Sequence, residues 1–410
     1  MGNSINDRIK RLSDELNDKI IAHRRKIHTF AELGGKEYKT HDYIAAELDR
    51  LGVTYENVGE TGLFGTLDSG RPGPHIVLRA DIDALPVSEN PNNLKGERVC
   101  ISEQPNTAHA CGHDAHAAML LGSIELLLQL KDELSGVLYF LFEPGEENGY
   151  CFPFVQELFS RLHIDTIWGL HVYAPLKSGK LSVTAGPRMA GGVFINITVH
   201  GKGGHASRQD LTINPVFVAA QIVSALPGVL IHQLNAEKTV TFGIAQIHGG
   251  EVGNVIPNEA HIVGTMRFFE REEGEKALEI LRKTAEHTAA IYGAEIEYGE
   301  RSDMLGIPLV NDAECSAIAE SGLCGMLPEG TLVESGRWFA SESMSFYLSR
   351  IPGVFAFLGI NSPEKGTGAE HHNEYFDVDE DVLRTGVAAT AGYVFSYIRN
   401  YADKEAQSNE

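Results

Sequence analysis

Short apolar runs of the kind that fill buried strands alternate with helical stretches along this chain, and that alternation constrains the fold more than any other feature. The runs are His75-Ile-Val-Leu-Arg79, Gly136-Val-Leu-Tyr-Phe-Leu-Phe142 and Thr166-Ile-Trp-Gly-Leu170, with a helical stretch from about Asp114 to Leu130. Ahead of them, Ile5, Ile9, Leu12, Leu16, Ile20 and Ile21 recur at three- and four-residue steps, the stripe of an amphipathic helix, and a second helix is expected from about Thr40 to Leu51. Buried strands interleaved with helices indicate a layered α/β domain.

From about Gly192 the texture changes. Strand (Val193 to His200), helix (Asn214 to Ala225), strand (Thr239 to Ile247), strand (Ala260 to Phe269), helix (Glu272 to Tyr292) and strand (Ala294 to Tyr298) follow one another, the βαββαβ order of a ferredoxin-like unit. The α/β texture then returns, with a helix near Asp312 to Cys324, an apolar strand Gly353 to Leu358 and a terminal helix near Asp379 to Tyr401, leaving Ala402 to Glu410 as a frayed tail. The expected organisation is a discontinuous catalytic domain, 1–190 with 300–410, and a small domain, 191–299, inserted into it.

Composition narrows the partners. The chain has 410 residues, 43% hydrophobic and 22% charged, ordinary for a globular protein with a sizeable core. A formal charge of -22, spread along the sequence, argues against nucleic acid and anionic membranes and for small molecules. No apolar stretch reads as a membrane span, and Met1 to Lys10 is too polar for a signal peptide, so a cytoplasmic protein is expected. Met1-Gly2-Asn3 resembles an acylation signal, but the sixth residue is Asn6 where that signal needs Ser or Thr. The five cysteines are odd in number and lack framework spacing, so at least one is free to serve chemistry.

Four clusters could carry that chemistry. His109-Ala-Cys111-Gly-His113-Asp114-Ala-His116 gathers a thiolate, imidazoles and a carboxylate at a strand-to-helix turn, where Gly112 lets flanking side chains converge. The bland alternative is a helix start capped by Asp114. Glu143-Pro-Gly-Glu146-Glu147 follows directly on an apolar strand, so one carboxylate can bind a metal while its neighbour handles a proton. His171 follows the strand ending at Leu170, and His371-His372 precedes Phe376-Asp377. Mixed ligands at strand ends in this number suit two metal ions better than one.

At this point the chain resembles the two-metal amidohydrolases related to aminoacylase and carboxypeptidase G, in the branch of hippurate hydrolase and the auxin-conjugate hydrolases. The resemblance runs through Arg79-Ala-Asp-Ile-Asp-Ala-Leu-Pro86, His109 to His116, Glu146-Glu147, Gly169-Leu-His171-Val, Gly201-Lys-Gly-Gly-His205-Ala-Ser207, Asn254-Val-Ile-Pro257 and His372 to Phe376. It implies a mixed-sheet catalytic domain, an inserted lid and dimerisation domain, two divalent ions (zinc, manganese or cobalt) and a homodimer. It also implies that Cys111 bridges the ions, that His113, Glu147, His171 and His372 are the other ligands with His371 the runner-up, and that Asp81 orients a ligand histidine. Glu146 is then the general base, His205 the oxyanion-stabilising histidine, and Asn254 and Arg267 hold the substrate carboxylate. The implied reaction is cleavage of the amide bond of N-acyl amino acids or similar conjugates. Its rivals are an exopeptidase on di- or tripeptides and, from another class, a catalytically silent binding protein.

Two features depart from the family. Ser341-Glu342-Ser343-Met344 carries a serine where relatives often have an acid, and Asn148 to Phe154 is unusually aromatic. Both bear on the substrate pocket rather than on the metal ligands.

Overall fold

The computed structural model describes residues 4–302 and 306–408; Met1-Gly2-Asn3, with its resemblance to an acylation signal, lies outside them. The chain divides into two compact units, Met1–Gly186 with Asn311–Gly336 and Glu342–Glu410, and Pro187–Val310 with Arg337–Ser341.

In the first unit a seven-stranded mixed sheet runs in the order Thr54–Val58, Gly62–Asp68, Val137–Glu143, His75–Asp81, Thr166–Lys177, Gly353–Asn361, Leu181–Ser182. Its centre is parallel: His75–Asp81 pairs with both Val137–Glu143 and Thr166–Lys177, and the latter with Gly353–Asn361. The apolar runs read from the sequence are these central strands, continuous in Val, Leu, Ile and Phe because both faces are covered. The helix His113–Gln129 is buried on almost every side, which explains its lack of a polar stripe. The antiparallel hairpin Thr54–Val58 with Gly62–Asp68 had no clear signal, its strands being short and the first mostly exposed.

Two elements differ from expectation. The amphipathic stripe at the start belongs to two helices, Ile5–Glu15 and Asn17–Phe30, because Leu16 sits at φ -86° and ψ -6°, close enough to helical for the apolar spacing to run on through the break. The terminal helix, Leu383–Ser408, continues through most of the supposed tail, whose Ala, Lys, Glu and Gln are good helix formers.

The second unit holds a four-stranded antiparallel sheet in the order Val240–His248, Glu259–Phe268, Gly191–His200, Glu295–Tyr298. The helices Pro215–Gln233 and Arg271–Ile291 fall in the chain order strand, helix, strand, strand, helix, strand. Alternate residues Val193, Ile195, Ile197 and Val199 join Ile222, Leu226, Ala277 and Leu281 in one core. The expectation that no stretch is long and apolar enough to cross a membrane needs correcting. Among the described residues Pro215–Gln233, 19 residues with mean hydropathy 1.7, meets that test. Its Val218, Ile222, Leu226 and Leu230 are nonetheless spent on the core of this unit.

Candidate metal centre

The parallel register brings Asp81 level with Glu143 at the C-terminal end of the sheet, so the chain leaving each strand delivers Asp83, Glu146 and Glu147 to one edge. Open α/β sheets build their sites there. Cys111 and His113 arrive on either side of Gly112, which caps the helix at φ 92°; a Cβ on this glycine would lie 2.3 Å from Val172 Cγ2. A left-handed backbone and that close approach both require glycine, and together they let the two side chains converge. One ligand atom each from Asp81, His113, His116 and His171, and from Cys111, His113 and Glu147, lies within 4.8 Å of the others in its group.

Hydrogen bonds assign the imidazole lone pairs. His113 Nδ1 lies 3.0 Å from Asp83 Oδ1 and must donate, so its lone pair is on Nε2. That nitrogen is buried without a hydrogen-bond partner, 3.9 Å from Glu147 Oε1. His171 Nδ1 donates to the Val172 carbonyl at 2.6 Å, which turns a lone pair on Nε2 toward Cys111 Sγ at 3.6 Å. His116 has no nitrogen to spare: Nδ1 donates to Asp81 Oδ1 at 2.5 Å and Nε2 accepts from Val172 N at 2.9 Å. His371 Nε2 accepts from Ala174 N at 3.1 Å, so a proton sits on Nδ1, the nitrogen 3.8 Å from Cys111 Sγ. His372 holds a strained φ of 64°, and its Nε2 lies 3.3 Å from Glu147 Oε1. Left-handed backbone at a non-glycine residue tends to mark functional positions.

The electrostatics ask for positive charge. Burial alone would lower His113, but Asp81 and the Cys111 sulfur raise it well above the ordinary imidazole range, so Nε2 seeks a proton or a metal. Burial pushes the Cys111 thiol well up, so a thiolate there requires a cation beside it. Burial keeps His171 neutral, as a ligand must be, with neighbouring His116 acting the same way. Lone pairs on Nε2 of His113 and His171, a carboxylate oxygen and a sulfur therefore form a donor set that fits divalent ions.

Glu146 stands apart. It is half-buried, its Oε1 accepts from Ser343 N at 2.8 Å, and burial, with Glu342 and Glu147 nearby, raises it well above the usual carboxylate range. Behind it Arg79 is buried with Asp81, Glu143 and Glu342 at 2.8, 2.5 and 2.8 Å. Asp81 was expected to orient a ligand histidine. The structure sets it on Arg79 and on His116 Nδ1, 3.7 Å from His113 Nε2, while the hydrogen bond of His113 Nδ1 goes to Asp83, two residues on in the same Arg79 to Pro86 motif. Both aspartates were visible in the sequence; only the register at the strand end separates their roles.

The second unit carries the remaining candidates. Backbone pairing of Val255 with His205, and of Ala206 N with the Asn254 carbonyl at 3.1 Å, sets exposed His205 beside Asn254. His205 Nδ1 accepts from Ser207 Oγ at 2.8 Å, leaving an Nε2–H to donate elsewhere. Arg267 is half-buried over Gly192, donates to Ser341 Oγ at 2.7 Å and has no ion pair among the described residues. Burial lowers it, as expected of a guanidinium lacking an anion.

A thiolate, imidazole and carboxylate donor set at the C-terminal edge of a parallel sheet, with a free carboxylate alongside, defines a metal-dependent hydrolase. Residues 77–396 match the peptidase family M20/M25/M40, and the chain belongs to that family. Thermostable carboxypeptidase 1 of Saccharolobus solfataricus is 36% identical over 94% of this chain and 97% of its own length. IAA-amino acid hydrolase ILR1-like 4 of Arabidopsis thaliana is 32% identical over 93% of this chain and 86% of its own. A solved structure from Bacillus subtilis, described as a dinuclear metal binding peptidase of the M20 family, is 29% identical and superposes with a TM-score of 0.79 over 94% of this chain and 99% of that one. The branch inferred from the motifs agrees with these relatives.

Proposed function

We propose that the protein hydrolyses the amide bond of N-acyl amino acids or similar small carboxylate-bearing conjugates, using two divalent ions held by Cys111, His113, Glu147, His171 and His372. The observation that carries this reading is the convergence of donor atoms from His113, Glu147, His171 and Cys111 beside a separate carboxylate, Glu146. When bound, the ions polarise the scissile carbonyl and acidify a water molecule. Glu146 accepts the proton of the attacking water and returns it to the leaving amine, and its raised affinity for protons suits both steps. His205 offers its Nε2–H to the developing oxyanion. Asn254 and the unpaired fork of Arg267 receive the substrate carboxylate.

Two things distinguish hydrolysis of acyl amino acids from that of peptides: the group beyond the scissile bond, and whether a free amine must be met. A carboxypeptidase among the relatives keeps the second reading in view. The deciding experiment is a mass-spectrometric screen of the metal-loaded protein against N-acyl amino acids and dipeptides; cleavage of dipeptides alone would overturn the proposal. Chelation is expected to abolish turnover, and elemental analysis of active protein to find two ions per chain, zinc, manganese and cobalt all being compatible with these donors. Full activity with only trace metal would refute the assignment.

The reading extends to assembly. The second unit has the strand order of a ferredoxin-like fold, and its edge strand Val240–His248 exposes unpaired backbone that pairing with a second copy would cover, which supports a lid and dimerisation domain. A cytoplasmic homodimer is in keeping with five unpaired cysteines. In such a dimer His205 serves the neighbouring site. A mixed dimer of one Glu146→Gln chain and one His205→Ala chain should then regain one of its two sites; absence of recovery after confirmed subunit exchange would place His205 elsewhere.

A further inference from the structure

Ser343, the residue that departs from the family's usual acid, lies at the centre of the contacts behind Glu146. Its backbone N donates to Glu146 Oε1 at 2.8 Å. Its hydroxyl donates to Glu143 Oε1 at 2.5 Å and accepts from Arg79 Nη2 at 2.9 Å. Glu143 in turn accepts from Arg79 Nε at 2.5 Å and Tyr347 OH at 3.0 Å, and Arg79 Nη2 also reaches Glu342 Oε1 at 2.8 Å. Arg79, Glu143, Glu342 and Ser343 are all buried. Glu143 is the last residue of its strand, and Glu146 follows three residues later. The same serine thus holds the carboxylate from which the Glu146 turn departs and, through its amide, the carboxylate at the end of that turn.

We propose that Ser343 is a positioning residue: by donating its hydroxyl to Glu143 it fixes the backbone amide that orients Glu146 for proton transfer, with Glu143 supplying the carboxylate that an acid at position 343 would otherwise bring. The chemistry of the contact sets the requirement. A hydroxyl can donate to one group while accepting from another, whereas a carboxylate can only accept. An aspartate at 343 would oppose Glu143 and add a fourth carboxylate to the three already around Arg79. With glutamine at 143 the donor returns on the other side of the contact, because the amide N–H can meet the aspartate. The arrangement is a matched pair, serine with glutamate, exchangeable for aspartate with glutamine but not one residue at a time. This inference rests on the reading of Glu146 as the base.

The test is a set of variants compared in kcat, KM and metal content, all as the full-length metal-loaded protein. Ser343→Asp is expected to lower kcat roughly a hundredfold, the loss that about an ångström of misplacement brings, with KM and metal content little changed. Glu143→Gln with Ser343→Asp should recover most of that loss. Should Ser343→Asp fail to fold, Ser343→Ala, which removes the donor without adding charge, should show a smaller loss in kcat alone. In a Glu146→Gln background none of these changes should matter further, since they act through the missing base. An active Ser343→Asp protein, or a folded double variant without recovery, overturns the positioning role. A fully active Glu146→Gln protein would instead overturn the assignment of the base, a separate outcome.

Discussion

Glu146→Gln is expected to lower turnover by about a hundred- to ten-thousand-fold while leaving both metal ions bound, because the amide keeps the size of the side chain but cannot accept a proton. Its neighbour gives the control. Glu147 faces the unpartnered Nε2 of His113 at 3.9 Å and Nε2 of His372 at 3.3 Å, so Glu147→Gln should lose metal first and activity as a consequence. The environments of the two carboxylates already differ. Burial, with Glu342 and Glu147, raises Glu146, whereas His372 and His113 outweigh burial and lower Glu147. A base that must take up a proton and a ligand that must stay ionised are what such a split serves. The check is to measure metal stoichiometry and kcat on both variants. Equal metal loss, or equal loss of rate with metal retained, would show that the two carboxylates do not divide the work in this way.

The same contrast shows what the sequence could and could not convey. The central strands were legible because burial on both faces leaves continuous apolar runs, and the alternation of Val193, Ile195, Ile197 and Val199 exposed the second sheet. The hairpin Thr54–Val58 with Gly62–Asp68 was not, since an exposed strand of mixed composition carries no period. Ligand candidates stood out as residue types in clusters. Where each histidine carries its proton did not, because that depends on partners far away in the chain: Asp83 for His113, the Ala174 amide for His371. His371 and His372 are adjacent and chemically identical, yet one has its lone pair committed to a backbone amide while the other sits in a strained left-handed turn facing Glu147. That contrast supports His372 as the ligand. Arg79, Glu143 and Ser343 each stand in a visible motif, but their contact does not show in the sequence for the same reason, the three being separated by up to 264 residues and joined only by the sheet and the loop that returns to it.

Asp114→Ala is expected to destabilise the first unit by roughly 3–5 kcal/mol, the cost of leaving a buried charge without its partner. Asp114 was considered as a helix cap, but Gly112 occupies that position and the carboxylate turns inward instead. Its Oδ2 accepts from Arg24 Nε at 2.7 Å and from His28 Nδ1 at 2.8 Å, with none of the three more than about one per cent exposed. Glu89 takes the other nitrogen of His28 at 2.9 Å, and Glu380 and Asp377 approach Arg24 at 3.2 and 3.4 Å. The cluster pins the helix Asn17–Phe30 to the first turn of His113–Gln129, the turn that presents Cys111 and His113. Burial would raise Asp114, but Arg24 and then His28 outweigh it and hold the carboxyl far below its usual range. A folded-state value below the unfolded one contributes stability that is fully present above the unfolded pKa, about 4, and is lost only as the pH falls through the lower folded value. The wild-type protein should therefore keep this contribution throughout the neutral range and surrender it only in strong acid. Removing both partners, as in Arg24→Met with Asp114→Leu, should cost less than removing Asp114 alone, because the buried guanidinium goes with its carboxylate while Asp377 keeps Arg98 at 3.6 Å, Glu380 keeps Arg25 at 2.6 Å and His28 keeps Glu89 at 2.9 Å. Urea unfolding of the two variants decides the matter. A single variant that loses less than about 1 kcal/mol, or a double variant as unstable as the single, would mean that the ion pair does not hold the helix His113–Gln129 in place.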